Sequence, residues 1–459
     1  MDLSQLLTDI NDFVWGPIML ALLVGTGIFL TFRLKFLPWR NLIYAVKMIT
    51  QKKAEHEGDL SPFQSLMTAL SATVGTGNIV GVATAMVLGG PGAIVWMWIS
   101  AAFGLSTKYG ESVLAVKYRE TNSVGEMAGG PMYAMKNGIG GTFGKIMAAA
   151  FAFFAVCASF GIGNMTQANS ISSAFESSLG VSTEITGIIL VVASLAVLMR
   201  GVHSIGAVSS FIVPSMAFFY LLFTAIIIIV NFKNIPSGVA VMFQMAFSTE
   251  AVAGGVGGSI VATMLTAMRW GVARGVFSNE AGLGSAPIAA AAARTDHASR
   301  QGYVNMTGTF FDTMIICMLT GLVIASSGVL GMTDANGELV SGAQLTIAAF
   351  ATVYGEGAKY IVSVALALFA YSTILGWEYY GEKSLEYLVS NRTVIYAYRF
   401  IFSCITYIGA TQTLDVVWNF SDTMNGLMAI PNLICLLILN NKIAEECFHY
   451  QKEIIAKEK

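Results

Sequence analysis

Long apolar stretches alternate with short polar ones along nearly the whole chain. No Asp, Glu, Lys, Arg or His lies between Leu60 and Thr107. A membrane-spanning helix needs roughly 20 apolar residues, so this stretch is long enough for two spans. The same criterion predicts eleven spans in the whole chain, at about 14–32, 61–88, 92–116, 144–173, 183–199, 205–230, within 257–293, 302–328, 358–389, 392–410 and 416–439.

The composition supports an all-α polytopic membrane protein. Of the 459 residues, 55% are hydrophobic and 11% are charged, whereas soluble domains carry about 25% charged residues. The formal net charge of −2 gives no basic field that would attract nucleic acid. We therefore expect the chain to have the lipid bilayer of the cell membrane, and no nucleic acid, as its partner.

Basic side chains predict how the chain is oriented. Cytoplasmic loops of membrane proteins carry an excess of Lys and Arg. Residues 33–53, which follow the first predicted span, contain six of them, while residues 1–12 contain three Asp and no basic side chain. The N-terminus is therefore expected outside. An odd number of spans then places the tail, 440–459, in the cytoplasm.

Glycine interrupts two of the predicted spans. One interruption is Gly75-Thr76-Gly77-Asn78, and the other lies within 257–293, where Gly271, Gly275, Gly282 and Gly284 recur. A helix broken at membrane depth is tolerated only where its freed backbone groups line a cavity or are buried in protein. The N-terminus of a half-helix also attracts a carboxylate. The alternative is that the glycines serve only close helix packing.

Four motifs carry a resemblance to the alanine or glycine:cation symporter family. They are Gly75-Thr76-Gly77-Asn78-Ile79, Gly89-Gly90-Pro91-Gly92-Ala93-Ile94-Val95-Trp96-Met97-Trp98, Gly129-Gly130-Pro131-Met132-Tyr133 and Arg274-Gly275-Val276-Phe277-Ser278-Asn279-Glu280-Ala281-Gly282-Leu283-Gly284-Ser285. The chain departs from the family pattern at Val95, where Phe is usual, and at Ala134, where a second aromatic residue is usual. The resemblance covers nearly the whole chain.

This resemblance implies a single transmembrane domain, 1–459, with the LeuT-type fold. In that fold ten core helices form two inverted five-helix repeats, here 61–230 and 257–439, and 14–32 is an extra N-terminal helix. The first and sixth core helices are broken, which matches 75–78 and a region around Val276-Phe277-Ser278-Asn279. The implied activity is sodium-coupled uptake of small neutral amino acids, foremost alanine or glycine.

The expected substrate site surrounds the first break. Backbone groups of Gly75, Thr76 and Gly77, with the side chains of Asn78 and Gln167, would hold the zwitterion. Gln167 lies in an apolar span, and its amide can accept from an ammonium and donate to a carboxylate. Helix–helix hydrogen bonding is the alternative for such a buried polar residue. Phe277 and Trp377 are expected to border the substrate side chain.

The resemblance also implies a site for the co-transported sodium ion. The hydroxyls of Ser372 and Thr373 and the carbonyls of Ser71 and Val74 would form it. Taken alone, hydroxyl residues in a span usually bond to a carbonyl of their own preceding turn.

Two acidic residues remain ambiguous. Asp312 lies about ten residues into its predicted span, where an ionisable side chain is a functional candidate. We expect it instead to form an ion pair with Arg269 or Arg274 that fastens the broken helix, and we expect a similar role for Glu280.

Several alternatives stay open or are excluded. Glutamine is the alternative substrate, and a membrane-embedded enzyme is the alternative class. The stretch 376–384 resembles a phosphate-binding loop with one residue too many, so coupling to ATP is not expected.

Residues 232–270 are expected to form short external helices, and 329–357 an external loop with some helix.

Overall fold

The computed structural model describes residues 3–51, 57–122, 125–248, 251–255, 258–412 and 415–455, and helices dominate this part of the chain. The N-terminal elements are α1 (Leu3–Val14), α2 (Pro17–Arg33), α3 (Leu37–Arg40), α4 (Leu42–Met48), α5 (Pro62–Thr73), α6 (Val80–Leu88) and α7 (Ala93–Lys117). Two short antiparallel strands follow, β1 (Glu120–Thr121) and β2 (Met127–Ala128).

The first half of the chain continues with five more helices. They are α8 (Pro131–Tyr133), α9 (Gly141–Phe160), α10 (Thr166–Leu179), α11 (Thr183–Leu198) and α12 (Val202–Val230). A π-helical turn, Gly161–Met165, joins α9 to α10, so the two run as one helix through 141–179.

The second half begins with α13 (Ile235–Phe247) and a hairpin of β3 (Ala251–Gly255) and β4 (Gly258–Ala262). The remaining helices are α14 (Met264–Asn279), α15 (Ala286–Ala291), α16 (Ala298–Thr309), α17 (Met318–Ser327), α18 (Gly342–Tyr354), α19 (Ala358–Leu388), α20 (Arg392–Thr411), α21 (Asp415–Ile438) and α22 (Asn440–Tyr450). Another π-helical turn, Phe310–Cys317, joins α16 to α17.

Helices lie in each of the eleven predicted spans. Within the described residues, seven helices are long and apolar enough to cross a membrane. The other four predicted spans do not meet that criterion. Those at 61–88 and 257–293 are broken, α11 has only 16 residues, and α7 carries Lys108. The chain is therefore a multi-pass membrane protein.

Two regions, 232–270 and 329–357, are predicted to lie outside the spans, and the first of them differs from its prediction. Residues 232–270 contain α13 as expected, but the β3–β4 hairpin and the start of α14 follow it. The glycines at 254–255 and 258 lie at the turn of this hairpin rather than in a helix. Glycine favours such a tight turn because it has no Cβ to clash. Residues 329–357 contain a short loop followed by α18, so the helix expected in this region is present.

Two long helices organise the core. Helix α7 packs against α2, α14, α15 and α16, while α19 packs against α5, α9, α10 and α12. A Cβ at Gly376 on α19 would lie 2.6 Å from the backbone nitrogen of Ala72 on α5. This close approach holds α19 directly beside the end of α5, where the first helix break begins.

The outer faces of the peripheral helices are apolar. On α12, the side chains of Phe211, Phe218 and Ile229 are 69–75% exposed. Large exposed apolar surfaces of this kind mark contact with another protein or with a membrane. Here they surround helices long enough to span a bilayer, so they face lipid.

The contact between α19 and α5 makes a stability prediction. Gly376→Ala should lower the free energy of unfolding by about 1–3 kcal/mol, the usual cost of overpacking, because the new methyl group meets backbone atoms of Ala72. Thermal melting of the purified protein measures it. Gly25→Ala on α2 is the control, since nothing lies within 4 Å of a Cβ there. Equal melting temperatures for the two variants would contradict the proposed close contact.

Candidate functional site

The first helix break lies between α5 and α6 and is buried. Helix α5 ends at Thr73, and 76–78 form a single 3₁₀ turn before α6 begins. The Asn78 Oδ1 atom accepts a hydrogen bond from the backbone N–H of Gly75 at 2.9 Å. The Thr76 hydroxyl is buried and has no hydrogen-bond partner among the described residues. The break thus holds a polar group that a bound ligand could satisfy.

Gln167 reaches this break from α10. Its Oε1 atom accepts from the backbone N–H of Thr76 at 3.2 Å, and its Nε2 atom donates to the carbonyl of Ile162 at 2.9 Å. Ile162 lies in the π-helical turn between α9 and α10. The structure therefore places Gln167 in direct contact with the backbone of the first break.

The hydroxyl pair on α19 lies at the same break. Ser372 Oγ lies 2.8 Å from the carbonyl of Phe369 and 3.3 Å from that of Ser71, and Thr373 Oγ1 donates to Phe369 at 3.1 Å. A Cβ at Gly75 would collide with the Thr373 hydroxyl. The structure therefore brings three of the four predicted sodium ligands together, namely Ser71, Ser372 and Thr373. The fourth, Val74, directly precedes Gly75 at the break.

Phe277 and Trp377 lie at different places around the break. A Cβ at Gly77 would lie 3.3 Å from the Phe277 ring, so this ring covers the 3₁₀ turn. Trp377 packs against Gly163 in the π-helical turn and lies beside the Glu280 carboxyl group. Phe277 is thus adjacent to the break, whereas Trp377 lies between the π-helical turn and the second broken helix.

The structure corrects the predicted partner of Asp312. Its carboxylate accepts from Asn78 Nδ2 at 2.7 Å, from Ser278 Oγ at 2.9 Å and from Thr313 Oγ1 at 2.6 Å. The arginines proposed as its partners instead pair elsewhere, Arg269 with Asp12 and Arg274 with Asp422. Asp312 faces the last turn of α14, whereas both arginines lie in earlier turns of that helix.

The second helix break is also shifted from its predicted position. Residues 276–279 form the last turn of α14, and the chain leaves the helix at 280–285. Glu280 has φ of 58° and Gly282 has φ of 98°. Left-handed backbone of this kind ends helices. The Glu280 carboxylate accepts from the hydroxyl of Ser285 at 2.6 Å, so it fastens the break internally, through a serine rather than through the predicted arginine.

Charged side chains on α7 close this second break. Lys108 Nζ donates to the carbonyl of Asn279 at 2.6 Å, and Glu111 accepts from the backbone N–H of Gly282 at 3.0 Å. Asn432 on α21 donates to Glu111 at 2.6 Å. The sequence pattern alone did not single out Lys108, Glu111 or Asn432. The available signal was two charges three residues apart inside the predicted span 92–116.

Comparison with known proteins identifies the family. The sequence matches the sodium:alanine symporter family over residues 1–459. The chain belongs to this family. Its members are transporters, which excludes the alternative of a membrane-embedded enzyme.

Two curated relatives and one solved structure illustrate the match. The sodium/alanine symporter AgcS of Methanococcus maripaludis is 52% identical over 452 residues, covering 97% of both chains. The probable sodium/glutamine symporter GlnT of Bacillus subtilis is 35% identical over 445 residues, covering 96% of this chain and 90% of the relative. The crystal structure of MhsT in complex with L-phenylalanine aligns with a TM-score of 0.57 at 10% identity, over 85% of this chain and 99% of that chain. This last likeness shows that the two chains have a similar fold.

In this sodium:alanine symporter family member, Asp312 joins the two broken helices, and its removal tests that role. Asp312→Asn should lower the free energy of unfolding by about 1–3 kcal/mol, because an amide would leave donors of Asn78, Ser278 or Thr313 unpaired. Asp12→Asn is the control, since its exposed ion pair with Arg269 is worth about 0–1 kcal/mol. Melting temperatures measured in the same detergent decide the matter, and an unchanged value for Asp312→Asn would contradict this role.

Proposed function

We propose that this protein imports small neutral amino acids, foremost alanine and glycine, together with sodium ions by alternating access. The observation that carries the proposal is the convergence of Gln167 and Thr373 on Gly75 at the first helix break. Membership of the sodium:alanine symporter family supports the ion and the substrate class. The AgcS relative supports alanine as the substrate.

The amino acid would bind at the break itself. Its carboxylate would face the backbone of 75–78, at the positive end of the half-helix α6. The Thr76 hydroxyl, which lacks a partner within the described part of the chain, supplies a further polar group there. Gln167 holds one edge of this turn through Thr76, and Asn78 holds the other through Gly75. Both amides would therefore shape the pocket even where they do not touch the substrate.

Sodium would bind between α5 and α19. The carbonyls of Ser71 and Val74 and the hydroxyls of Ser372 and Thr373 supply neutral oxygen atoms, which a hard monovalent cation accepts. Both hydroxyls already direct their hydrogens to the carbonyl of Phe369, so their lone pairs remain for an ion. The same α5–α19 contact also borders the substrate pocket, and this proximity would couple the two ligands.

An inverted arrangement of two repeats, 61–230 and 257–439, fits the geometry of the breaks. Leu60 precedes α5 and forms a bridge with Ala293, which follows α15. The start of the first broken helix therefore lies beside the end of the second, as expected if the two run in opposite directions. Helix α2, within 14–32, stands outside these repeats.

The proposed orientation places the N-terminus outside and the tail 440–459 in the cytoplasm, in a membrane crossed eleven times. Loops that this orientation assigns to the cytoplasm meet at one end of the bundle. Arg119 donates to the carbonyls of Ala291 and Ala293 at 2.9 and 2.7 Å, and Lys383 pairs with Glu126 at 2.8 Å. The collection of basic residues at one end supports the assignment.

Glutamine is the second candidate substrate, favoured by the GlnT relative. The two candidates differ mainly in the volume that the pocket must provide. Competition of labelled alanine uptake by unlabelled alanine, glycine and glutamine separates them: stronger inhibition by glutamine than by alanine would favour the second candidate.

Sodium coupling is tested by uptake into proteoliposomes. Alanine accumulation should follow an imposed inward sodium gradient and disappear when potassium or choline replaces sodium. Ser372→Ala with Thr373→Ala should raise the sodium concentration for half-maximal uptake roughly fivefold or more, because each lost hydroxyl contact is worth about 1 kcal/mol. The control is Ser363→Ala on the same helix, whose hydroxyl bonds to Ser178 away from the break. Equal uptake in all three cations would contradict the proposal.

Substrate size should depend on Phe277. Phe277→Ala should admit larger neutral amino acids such as leucine and weaken alanine binding, because truncation opens a cavity beside the smaller substrate. Each methylene of substrate is discriminated by about 1–3 kcal/mol. Competition of labelled alanine uptake by a graded amino-acid series measures the change, with the lipid-facing Phe218→Ala as control. An unchanged ranking in Phe277→Ala would contradict the placement of this ring in the substrate site.

A further inference from the structure

A buried carboxyl group that accepts no hydrogen bond lies on α19, beyond the sodium and substrate residues. Glu378 is 0% exposed, and neither of its carboxyl oxygens accepts a hydrogen bond from a donor group among the residues that the structure describes. An isolated ionised carboxylate in such surroundings is costly, and it usually takes up a proton or a cation. The proposed sodium and amino-acid sites make no use of this side chain.

The carboxyl group of Glu378 faces that of Glu382, one helical turn further along α19. Glu382 is itself bound by Arg399 of α20 through two contacts, at 2.5 Å to Nε and at 2.8 Å to Nη2. The guanidinium of Arg399 therefore pairs with the Glu382 carboxylate, and the Glu378 carboxyl group lies next to that carboxylate.

The other polar groups near Glu378 are engaged elsewhere. Lys383 of α19 binds Glu126 at 2.8 Å and Glu386 at 2.9 Å. Tyr398 of α20 shares a hydrogen bond of 2.8 Å with Ser159 of α9. Two carboxyl groups thus depend on one guanidinium, which can balance the charge of one of them.

Glu382 connects this pair to solvent. It lines a cavity of about 790 Å³ between α9, α12, α19 and α20, at the end of the bundle where the basic loops collect. Other ionisable residues at this cavity include Glu126, Glu386, His203, Arg200 and Arg399. Glu378 lies one turn deeper, so a proton could pass between it and the cavity by way of the Glu382 carboxylate.

We propose that Glu378 and Glu382 form a proton-binding site in which the two carboxyl groups share one proton while Arg399 neutralises the remaining charge. Taking up the proton forms an O–H bond on Glu378, and releasing it returns the proton to water in the cavity, with no other bond changed. Loss of the proton would place two negative charges against each other between α9, α19 and α20. The packing of these helices would then depend on pH.

This inference goes beyond the proposed transport activity, and its test does not require transport. Infrared spectra of the full-length protein in lipid report the C=O stretching band of a protonated carboxylic acid. An ordinary glutamate is ionised at about pH 7. The spectrum of the unsubstituted protein at that pH should therefore contain an acid band that is missing from Glu378→Gln.

Two further variants make the test decisive. In Glu382→Gln, Glu378 should ionise and pair with Arg399, so the same band should disappear even if Glu378→Gln fails to fold. Glu126→Gln is the matched control, because it removes a negative charge from the same cavity without touching the carboxyl pair, and it should retain the band.

Two results would overturn the proposal. One is an acid band that is absent from the unsubstituted protein at neutral pH or unaffected by both substitutions. The other is a carboxylate band that shifts on addition of sodium in the unsubstituted protein but not in Glu378→Gln, since that would assign a metal cation to the pair.

Discussion

Backbone N–H and C=O groups freed by a helix break inside a membrane must find partners within the protein, because hydrocarbon offers none. At the first break Asn78 binds the backbone of Gly75, Gln167 of α10 binds that of Thr76, and Ser372 of α19 reaches the carbonyl of Ser71. These contacts hold the break open without restoring the helix. A site for an ion and a zwitterion follows from the same groups, since they are polar, buried and close together.

The two broken helices are also tied to each other. Asp312 accepts from Asn78 at the first break and from Ser278 at the end of α14, and Lys108 of α7 fixes the carbonyl next to Glu280. A ligand that displaces the first break must therefore act on α14 and on the π-helical turn between α16 and α17 as well. In a transporter, such shared contacts would allow local binding to be transmitted to whole helices.

Much of this arrangement was predictable from the sequence, because glycines and polar residues in apolar stretches are conspicuous. The helical ranges and the break at 75–78 follow from that pattern. Contacts between distant helices do not: the partners of Asp312 come from the 3₁₀ turn at 76–78 and from α14, and periodicity carries no information about which helices meet. The β3–β4 hairpin was missed for a related reason, since a glycine-rich stretch is compatible with both a hairpin and a broken helix.

The central claim is that sodium and the amino acid bind together at the first helix break. Calorimetry of alanine binding to the purified protein, over a series of sodium concentrations, tests it most directly. Binding of each ligand should strengthen that of the other by the same factor, as linkage requires. Removing the hydroxyls of Ser372 and Thr373 should shift this reciprocal effect to higher sodium concentrations while leaving the protein folded. Alanine affinity that is independent of sodium in the unsubstituted protein would contradict the account.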